Sequence, residues 1–492
     1  MKMFNVFTAF CCTVLLMAVS SCRQSETTRP NNREIIFAVS QAPLNLDPRY
    51  ATDAASARVN RLLYQSLVDF DAQSKPTASL ASWQEISPRL YSFTLNKNRA
   101  PFHCADKSKW ALISAYDVKA TYDSFAFLKD SPHAAEFDNI KNIRVKDDNT
   151  VQFELKTADS HFAAKLIIGI LPAALIAQHH DFSHDPVGSG SLSLVSWQHQ
   201  LSLVRERDGQ KISLQEVKDP TVRVLKLLHG EVDLLQGELP VELVQYLQTK
   251  PEVIVKTNIG ANFSYLGLNM QDSVLKQLKV RQALAYAIDR NVMMQKVMVA
   301  NTRAAGAILP PEHYTNQYSL PIYPYKPALA RQLLLEAGVK LPLKLVYKTS
   351  TDAQRVRFAT IMQAQMQPAG IQLEIRSLDW GTFFEDIKQG NFQLYGLTWV
   401  GIKTPEIYEK ALGSNSMPPK GFNRGRYLDA QLDQYLLNDN WQAATARINS
   451  QLPYIPLWYE GQFAVMRKQI HHFSAKPDGN WDDLATISRY AH

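Results

Sequence analysis

The chain has 492 residues, of which 46% are hydrophobic and 20% are charged, and it carries a formal net charge of +7. This length exceeds the roughly 250–300 residues that one hydrophobic core usually serves, so more than one structural unit is expected. The composition excludes wholesale disorder, a collagen-like repeat and a polytopic membrane protein. The charge is mild for this length and no long basic run is present, so nucleic-acid binding is not expected.

The N-terminal region has the form of an export signal. Over residues 1–21, Lys2 precedes an apolar stretch of signal-peptide length. The stretch ends in Val19-Ser20-Ser21-Cys22, and small residues directly before a cysteine resemble the lipobox of bacterial lipoproteins. That resemblance implies cleavage before Cys22 and lipid attachment to it, followed by a polar tether over residues 22–33. A plain cleaved signal, with Cys22 incidental, is the alternative.

Strand and helix patterns alternate along the rest of the chain, which predicts an α/β fold. A strand is expected over residues 34–39, and Ser114 with Asp117 forms a capping box that predicts the start of a helix. The later predicted elements are a helix around residues 275–290, helices over 327–337, 352–369 and 379–389 closed by Gly338, Gly370 and Gly390, and strands over 371–375 and 392–400. This order of helix, strand, helix and strand indicates an α/β lobe.

Sequence signatures of catalysis are absent. There is no Gly-x-Ser-x-Gly elbow, no phosphate-binding loop, no His-Glu-x-x-His and no dinucleotide-binding motif. Cys104 is the one cysteine left in the folded part, and a lone thiol is more typical of a buried side chain than of a nucleophile. A histidine and aspartate group suits a transition metal, but a solvated loop before Pro186 is favoured; its members are His179, His180, Asp181, His184 and Asp185. We therefore expect no catalytic residues, no metal site and no cofactor.

A series of short strings runs in order along the chain. The most specific string is residues 280–290. The others are Leu46-Asp47-Pro48 and residues 64–71, 113–119, 186–190, 229–233, 330–338, 370–371, 379–380 and 399–401. Together they resemble the extracytoplasmic solute-binding proteins of family 5, which are the substrate-binding lipoproteins of peptide and nickel ABC importers. The resemblance covers almost the whole chain after the tether.

The resemblance implies a bilobal clamp of the periplasmic-binding-protein type II class, in which two lobes joined by two crossing segments close on a solute. Lobe one is expected to comprise residues 34–262 and 456–492, with an inserted subdomain over 61–184, and lobe two residues 263–455. It also implies an exported monomer that serves the permease of an ABC importer. Its lipid would hold it at the cell envelope, in the periplasm or on the outer face of the cytoplasmic membrane.

The residue after Gly401 departs from the family pattern. Peptide-binding members carry an aspartate there, which pairs with the α-ammonium group of the ligand, whereas this chain has Ile402 followed by Lys403. An ammonium group sealed against Ile402 loses a charge-assisted hydrogen bond and meets the charge of Lys403. Peptides with a free N-terminus are therefore expected to bind weakly unless Asp53 or Glu406 takes over that role.

The expected substrate-binding residues come from three segments of the chain. They are Tyr50, Thr52 and Asp53 on the first loop, Trp399, Gly401, Ile402 and Lys403 in lobe two, and Asn423, Arg424 and Arg426 after it. The two arginines suit a carboxylate or phosphate because guanidinium groups bind planar oxyanions; solvated surface arginines are the alternative. The leading hypothesis is a non-enzymatic receptor for peptides or peptide-like solutes. The alternatives are a receptor for a metal chelate, haem or oligosaccharide, a sensory binding protein, and an enzyme.

Overall fold

The computed structural model describes residues 34–103, 111–128, 130–316 and 320–490. Its strands are β1 (Ile35–Val39), β2 (Val68–Phe70), β3 (Pro76–Ala78), β4 (Ala81–Ser87), β5 (Leu90–Leu95), β6 (Ile140–Asp147), β7 (Thr150–Leu155), β8 (Leu192–Trp197), β9 (Leu201–Arg205), β10 (Lys211–Glu216), β11 (Leu234–Gln236), β12 (Val253–Leu268), β13 (Arg303–Ala304), β14 (Leu343–Ser350), β15 (Ile371–Leu378), β16 (Leu394–Trp399), β17 (Tyr454–Arg467), β18 (Ile470–His471) and β19 (Ser488–Arg489). Its α-helices are α1 (Ala54–Leu63), α2 (Ala115–Ser124), α3 (Ala173–Ala177), α4 (Pro220–His229), α5 (Val241–Gln248), α6 (Leu278–Tyr286), α7 (Arg290–Val297), α8 (Pro327–Glu336), α9 (Ala353–Met366), α10 (Trp380–Gln389), α11 (Glu406–Leu412), α12 (Ala430–Leu437) and α13 (Trp441–Gln451).

Several of the sequence-based expectations concern residues outside these ranges. The signal peptide, Cys22 with its tether, and Cys104 lie outside the described residues. Within the described ranges, no helix combines the length and the apolar character that a membrane crossing requires.

One large mixed sheet runs through both lobes in the order β15-β14-β16-β12-β17-β11-β1-β10-β9-β8. Its two central strands, β12 and β17, are antiparallel partners over nearly their full lengths. Residues 253–258 pair with residues 462–467 beside lobe one, and residues 262–267 pair with residues 454–460 beside lobe two. The register shifts between these two parts. β12 and β17 are therefore the two crossing segments of the bilobal clamp.

Lobe one is built around parallel strands. β1 pairs in parallel with β10 and β11, and most of its residues are buried, as is typical of an inner parallel strand. The C-terminal part of the chain returns to this lobe, because the Trp481 ring packs edge-on against Phe37 at a centroid distance of 5.0 Å. The predicted strand over residues 34–39 is confirmed.

The inserted part of lobe one has its own sheet and core. The strands lie in the order β4-β5-β7-β6, and α2 covers them with Tyr122 packed edge-on against Phe153. The backbone N–H of Ser114 donates to Oδ2 of Asp117 at 2.7 Å, which confirms the predicted helix start. A separate hydrophobic cluster within one chain segment is what an independent subdomain requires.

The histidine-rich segment forms a loop, as favoured from the sequence. His184 pairs with Asp181 at 3.2 Å and His180 with Asp185 at 3.5 Å. In the part of the chain that the structure describes, no group of three or more histidine, cysteine, aspartate or glutamate side chains is arranged to hold a metal ion.

Lobe two largely follows the sequence pattern. α8, α9, α10, β15 and β16 lie where helices and strands are predicted, and Gly338, Gly370 and Gly390 all adopt positive φ beyond helix ends. β14 is parallel to both β15 and β16. The carboxyl ends of these three strands therefore meet at one edge of the lobe, which is where α/β sheets commonly bind ligands.

The predicted helix around residues 275–290 is wrong in its extent. The structure has two helices, α6 and α7, because the Asp289 side chain accepts a hydrogen bond from the N–H of Val292 at 3.0 Å and starts a new helix. Arg290 is 4% exposed, and its Nε donates to the carbonyl of Pro456 at 2.8 Å. Burial lowers the pKa of Arg290 to about 10.

Candidate functional site

The end of β16 brings the chain to the boundary between the lobes. Trp399, the last residue of β16, pairs with Phe263 of β12. Gly401 has a φ of +68°, which favours glycine, and its N–H donates to Oδ1 of Asn262 at 3.2 Å. Asn262 is buried and lies where the register of β12 shifts. The segment after β16 is therefore fastened to the crossing strand, between the two lobes.

Lys403 reaches from this segment of lobe two to lobe one. Its Nζ lies 2.7 Å from Oδ2 of Asp478, and the two side chains are 19% and 17% exposed. The same Nζ lies 5.6 Å from the ring centroid of Phe70. Burial acts to raise the pKa of Asp478, but the charge and hydrogen bond of Lys403 outweigh it and hold that pKa below its usual value. The charge of Lys403 is therefore balanced by lobe one.

Lobe two also contacts lobe one elsewhere, as in the Arg357–Glu242 ion pair at 2.7 Å. Two further interlobe contacts are linked to Lys403 through His313 and Tyr314. The N–H of Tyr314 donates to the carbonyl of Gln73 at 3.0 Å. The Asp439 carboxylate lies 3.1 Å from Nε2 of His161 and accepts a hydrogen bond from Oγ of Ser160 at 3.3 Å. We call the residues of these three interlobe contacts the interlobe seam: Lys403, Asp478, Tyr314, Gln73, Asp439, Ser160 and His161.

Glu406 lies in the first turn of α11, close to the interlobe seam. Both oxygens of its carboxylate are buried, and neither has a hydrogen-bond partner among the described residues. A buried carboxylate without a partner is unfavourable, because it loses its hydration without gaining a compensating bond. From the sequence, Glu406 is expected only as a substitute for the missing aspartate.

His313 and Tyr314 are the neighbours on which the charge of Glu406 acts. The N–H of Thr315 donates to Nδ1 of His313 at 3.2 Å, so Nε2 carries the proton that is donated to the carbonyl of Lys403 at 2.8 Å. Burial lowers the pKa of His313, which keeps the ring neutral. Burial, followed by the carboxylates of Glu406 and Asp439, raises the pKa of Tyr314 to about 12.

Asn423 and Arg426 are bound within lobe two. Asn423 is 0% exposed, and its amide exchanges hydrogen bonds with the backbone of Tyr427 and donates to the carbonyl of Gly413 at 3.0 Å. The guanidinium of Arg426 donates to the carbonyl of Lys388, near the end of α10, at 2.8 Å. The donors of both side chains face backbone carbonyls of their own lobe and not the interlobe seam.

Arg424 lies in an aromatic environment beside Trp399. Its guanidinium carbon lies 4.8 Å from the Trp399 ring centroid, 5.2 Å from that of Phe384 and 5.6 Å from that of Phe422. Its Nη1 lies 3.4 Å from the hydroxyl of Tyr265. Phe422 is 44% exposed, so this stacked group reaches the surface of lobe two. Ile402, like Trp399, packs against the buried hydrophobic cluster of lobe two that includes Tyr265.

The first loop contributes residues of three different kinds. The Asp53 carboxylate caps α1 by accepting a hydrogen bond from the N–H of Ser56 at 2.8 Å. Thr52 is exposed. The hydroxyl of Tyr50 donates to Asp130 at 3.3 Å, and its pKa is raised by burial and then by that carboxylate. One oxygen of Asp53 is thus already occupied by the helix that it begins.

Sequence reasoning missed a polar network on the crossing strands. Ser264 and Thr398 both donate to Oε1 of Glu460, the latter at 3.0 Å, and Arg355 lies 3.4 Å from the same oxygen. It also missed Asp478. The residues 476–479, Lys-Pro-Asp-Gly, predict a turn. No local pattern, however, indicates that the carboxylate of this turn meets Lys403.

The chain belongs to the bacterial extracellular solute-binding proteins of family 5, because the model of that family ("family 5 Middle") matches residues 76–414. Proteins of this family capture solutes outside the cytoplasm, and the two lobes joined by two crossing strands are the corresponding clamp.

Individual relatives bind different solutes. Heme-binding protein A of Haemophilus influenzae is 23% identical over 97% of this chain and 98% of its own length. Di/tripeptide-binding protein 1 of Pseudomonas aeruginosa is 24% identical over 90% of this chain and 92% of its own. The structure of NikZ from Campylobacter jejuni in complex with Ni(L-His) has a TM-score of 0.77 at 21% identity and covers 94% of this chain and all of its own. The first two are named for the solutes that they bind, and the third was solved with its solute bound.

Proposed function

We propose that the protein captures a peptide or peptide-like solute in the cleft between its lobes and delivers it to the permease of an ABC importer. The observation that carries this proposal is the segment after β16, which is fastened to the crossing strand at Asn262 and reaches lobe one through the Lys403–Asp478 ion pair. The contacts of such a segment depend on the distance between the lobes. We therefore expect solute binding and closure to be coupled there.

Of the expected site residues, we propose that Tyr50, Thr52, Trp399, Ile402 and Arg424 line the cleft. Their support is their position on loops or strand ends with partial exposure. We propose that the remaining expected residues hold the backbone around the cleft in place through contacts within the protein. They are Asp53, Gly401, Lys403, Asn423 and Arg426.

We propose the remaining features from the sequence. Export and lipid attachment at Cys22 would hold a monomer at the envelope. The lobes would divide near the predicted boundary at residue 262 on β12, whereas β17 would cross near Glu460 and not at the predicted residue 456. Radiolabelled palmitate incorporation that Cys22→Ala abolishes is the expected result for the anchor.

A second candidate is a receptor for haem or a metal chelate. Ile402 removes the usual acid of peptide binders, and the stacked group of Trp399, Phe422 and Arg424 suits a flat aromatic solute that carries carboxylates. Heme-binding protein A among the relatives agrees with this candidate.

Mass spectrometry of the small molecules that co-purify with a soluble variant beginning at Asn31 distinguishes the two candidates. We expect a mixture of short peptides to be released on denaturation. A single haem or metal complex would contradict the peptide proposal and support the second candidate. An empty protein that binds neither a peptide library nor haem would contradict both.

A further inference from the structure

The charges around Glu406 are unbalanced. On its N-terminal side, Lys403 is already paired with Asp478 at 2.7 Å. On its C-terminal side, Lys410 lies one turn further along α11, makes no ion pair with Glu406, and acts on Glu136 and His133 of lobe one. Within the described residues, no basic side chain therefore neutralises the Glu406 carboxylate.

The polar groups of His313, next to Glu406, already form hydrogen bonds with other groups. The Nε2–H of His313 is donated to the carbonyl of Lys403, and Nδ1 accepts from the N–H of Thr315. Asp71 adds negative charge beside His313, and Asp439 adds it beside Tyr314. The side-chain charges that act on His313 and Tyr314 are therefore carboxylates, and they favour a cation beside these two residues.

We propose that Glu406 receives the cationic group of the solute, an ammonium or a guanidinium, when the lobes close. This inference rests on the proposed function and assigns the solute a charge. A carboxylate accepts up to about four hydrogen bonds. An alkylammonium group would supply the hydrogen-bond donors that the described residues do not provide to Glu406.

The arrangement also couples binding to closure. In this proposal, closure excludes water from the Glu406 carboxylate, so the empty closed state carries the cost of an unpaired buried charge. A cation beside the carboxylate removes that penalty in the closed state alone, because in an open cleft water solvates both groups. The cation therefore shifts the equilibrium towards the closed state through its differential affinity.

The position of Glu406 differs from that of the missing aspartate. Ile402 occupies the residue after Gly401, and Glu406 stands four residues further along, in α11. Glu406 therefore sets a preference for a positively charged group of the solute, whether an ammonium or a guanidinium.

Two measurements on Glu406→Gln test the assignment, with Glu409→Gln as the matched control. Glu409 is an exposed glutamate in the same turn of α11. In urea unfolding of the solute-free proteins, we expect a higher midpoint for Glu406→Gln than for wild type, because a neutral amide is cheaper to bury than an unpaired carboxylate. We expect no change for Glu409→Gln. An unchanged or lower midpoint for Glu406→Gln would overturn the assignment.

Calorimetric titration with trialanine and with N-acetyl-trialanine tests the ligand class. We expect Glu406→Gln, and acetylation of the peptide, each to weaken binding by about 10- to 100-fold, and the two losses not to add. Wild-type-like affinity of Glu406→Gln for trialanine would overturn the role of Glu406 and leave the peptide proposal intact. No binding of trialanine to wild type would contradict the peptide proposal, and the unfolding comparison would then decide the role of Glu406.

Discussion

The two segments of lobe two that supply most of the expected site residues use their polar groups differently. In residues 423–426, Asn423 and Arg426 donate to backbone carbonyls of lobe two. In residues 399–406, Lys403 pairs with Asp478 of lobe one, and Glu406 has no partner. Groups satisfied within one lobe stabilise that lobe in every state of the clamp. Groups satisfied across the interlobe seam, or not satisfied at all, instead depend on closure and on the solute.

The largest expected effect is on stability within lobe two. Asn423→Ala removes the hydrogen bonds to Gly413 and Tyr427 at a fully buried position and leaves their backbone groups unpaired. We expect a loss of about 2–4 kcal/mol in the free energy of unfolding, measured by urea denaturation. Asn438→Ala, which removes one exposed hydrogen bond to Gln434, serves as the control and should cost less than about 0.5 kcal/mol. Equal losses in the two variants would contradict a structural role for Asn423.

A smaller effect is expected on closure. Lys403→Met removes the cation and leaves the mostly buried Asp478 carboxylate with hydrogen bonds from Asn480 but without its ion-pair partner, so we expect closure to lose about 1–3 kcal/mol. Small-angle scattering should report a larger radius of gyration than wild type. The control is Lys388→Met, because Lys388 pairs with Glu385 of the same helix and both side chains are about half exposed. An unchanged radius for Lys403→Met would show that the ion pair does not hold the lobes together.

The same ion pair predicts a pH dependence. Because the pKa of Asp478 is lowered in the folded protein, the carboxylate contributes stability above its unfolded pKa of about 4 and loses it as the pH falls through the lower folded value. Between about pH 6 and about pH 3, wild type should therefore lose more unfolding free energy than Lys403→Met. Equal losses in the two proteins would place the origin of acid sensitivity elsewhere.

The smallest effect is expected at Arg426. Arg426→Ala removes the donor to the carbonyl of Lys388 near the end of α10, and we expect a cost of about 0.5–1 kcal/mol in unfolding free energy. Solute affinity, measured by calorimetry, should stay within about twofold of wild type, since Arg426 is bound within lobe two. A tenfold loss of affinity with unchanged stability would place Arg426 in the binding cleft.

The local elements were predictable because their signals are local. Ser114 with Asp117, and the glycines after α8, α9 and α10, mark helix ends through contacts a few residues away. The apolar periodicity of residues 275–290 predicted one helix and missed the break at Asp289, because the Asp289 side chain caps a second helix within that stretch. The segment carrying Trp399 and Gly401 was predictable only through its resemblance to a family.

The charge arrangement of the site was not predictable from the sequence. Adjacency of Lys403 to Ile402 indicated repulsion of an ammonium group, but Lys403 is balanced by Asp478, which lies far along the chain in a turn. In the same way, Arg426 suits an oxyanion by residue type and instead binds Lys388. Pairing of this kind is decided by tertiary contacts, and residue types alone do not specify them.

In the proposed clamp, the two lobes close around a solute and form the Lys403–Asp478 contact when they do. The most direct test is small-angle scattering of the soluble variant beginning at Asn31, stripped of solute by unfolding and refolding, before and after addition of the molecule identified by mass spectrometry. We predict that the radius of gyration falls on addition and that Lys403→Met reduces this change. Calorimetric binding of the same molecule with no change in scattering would contradict the claim.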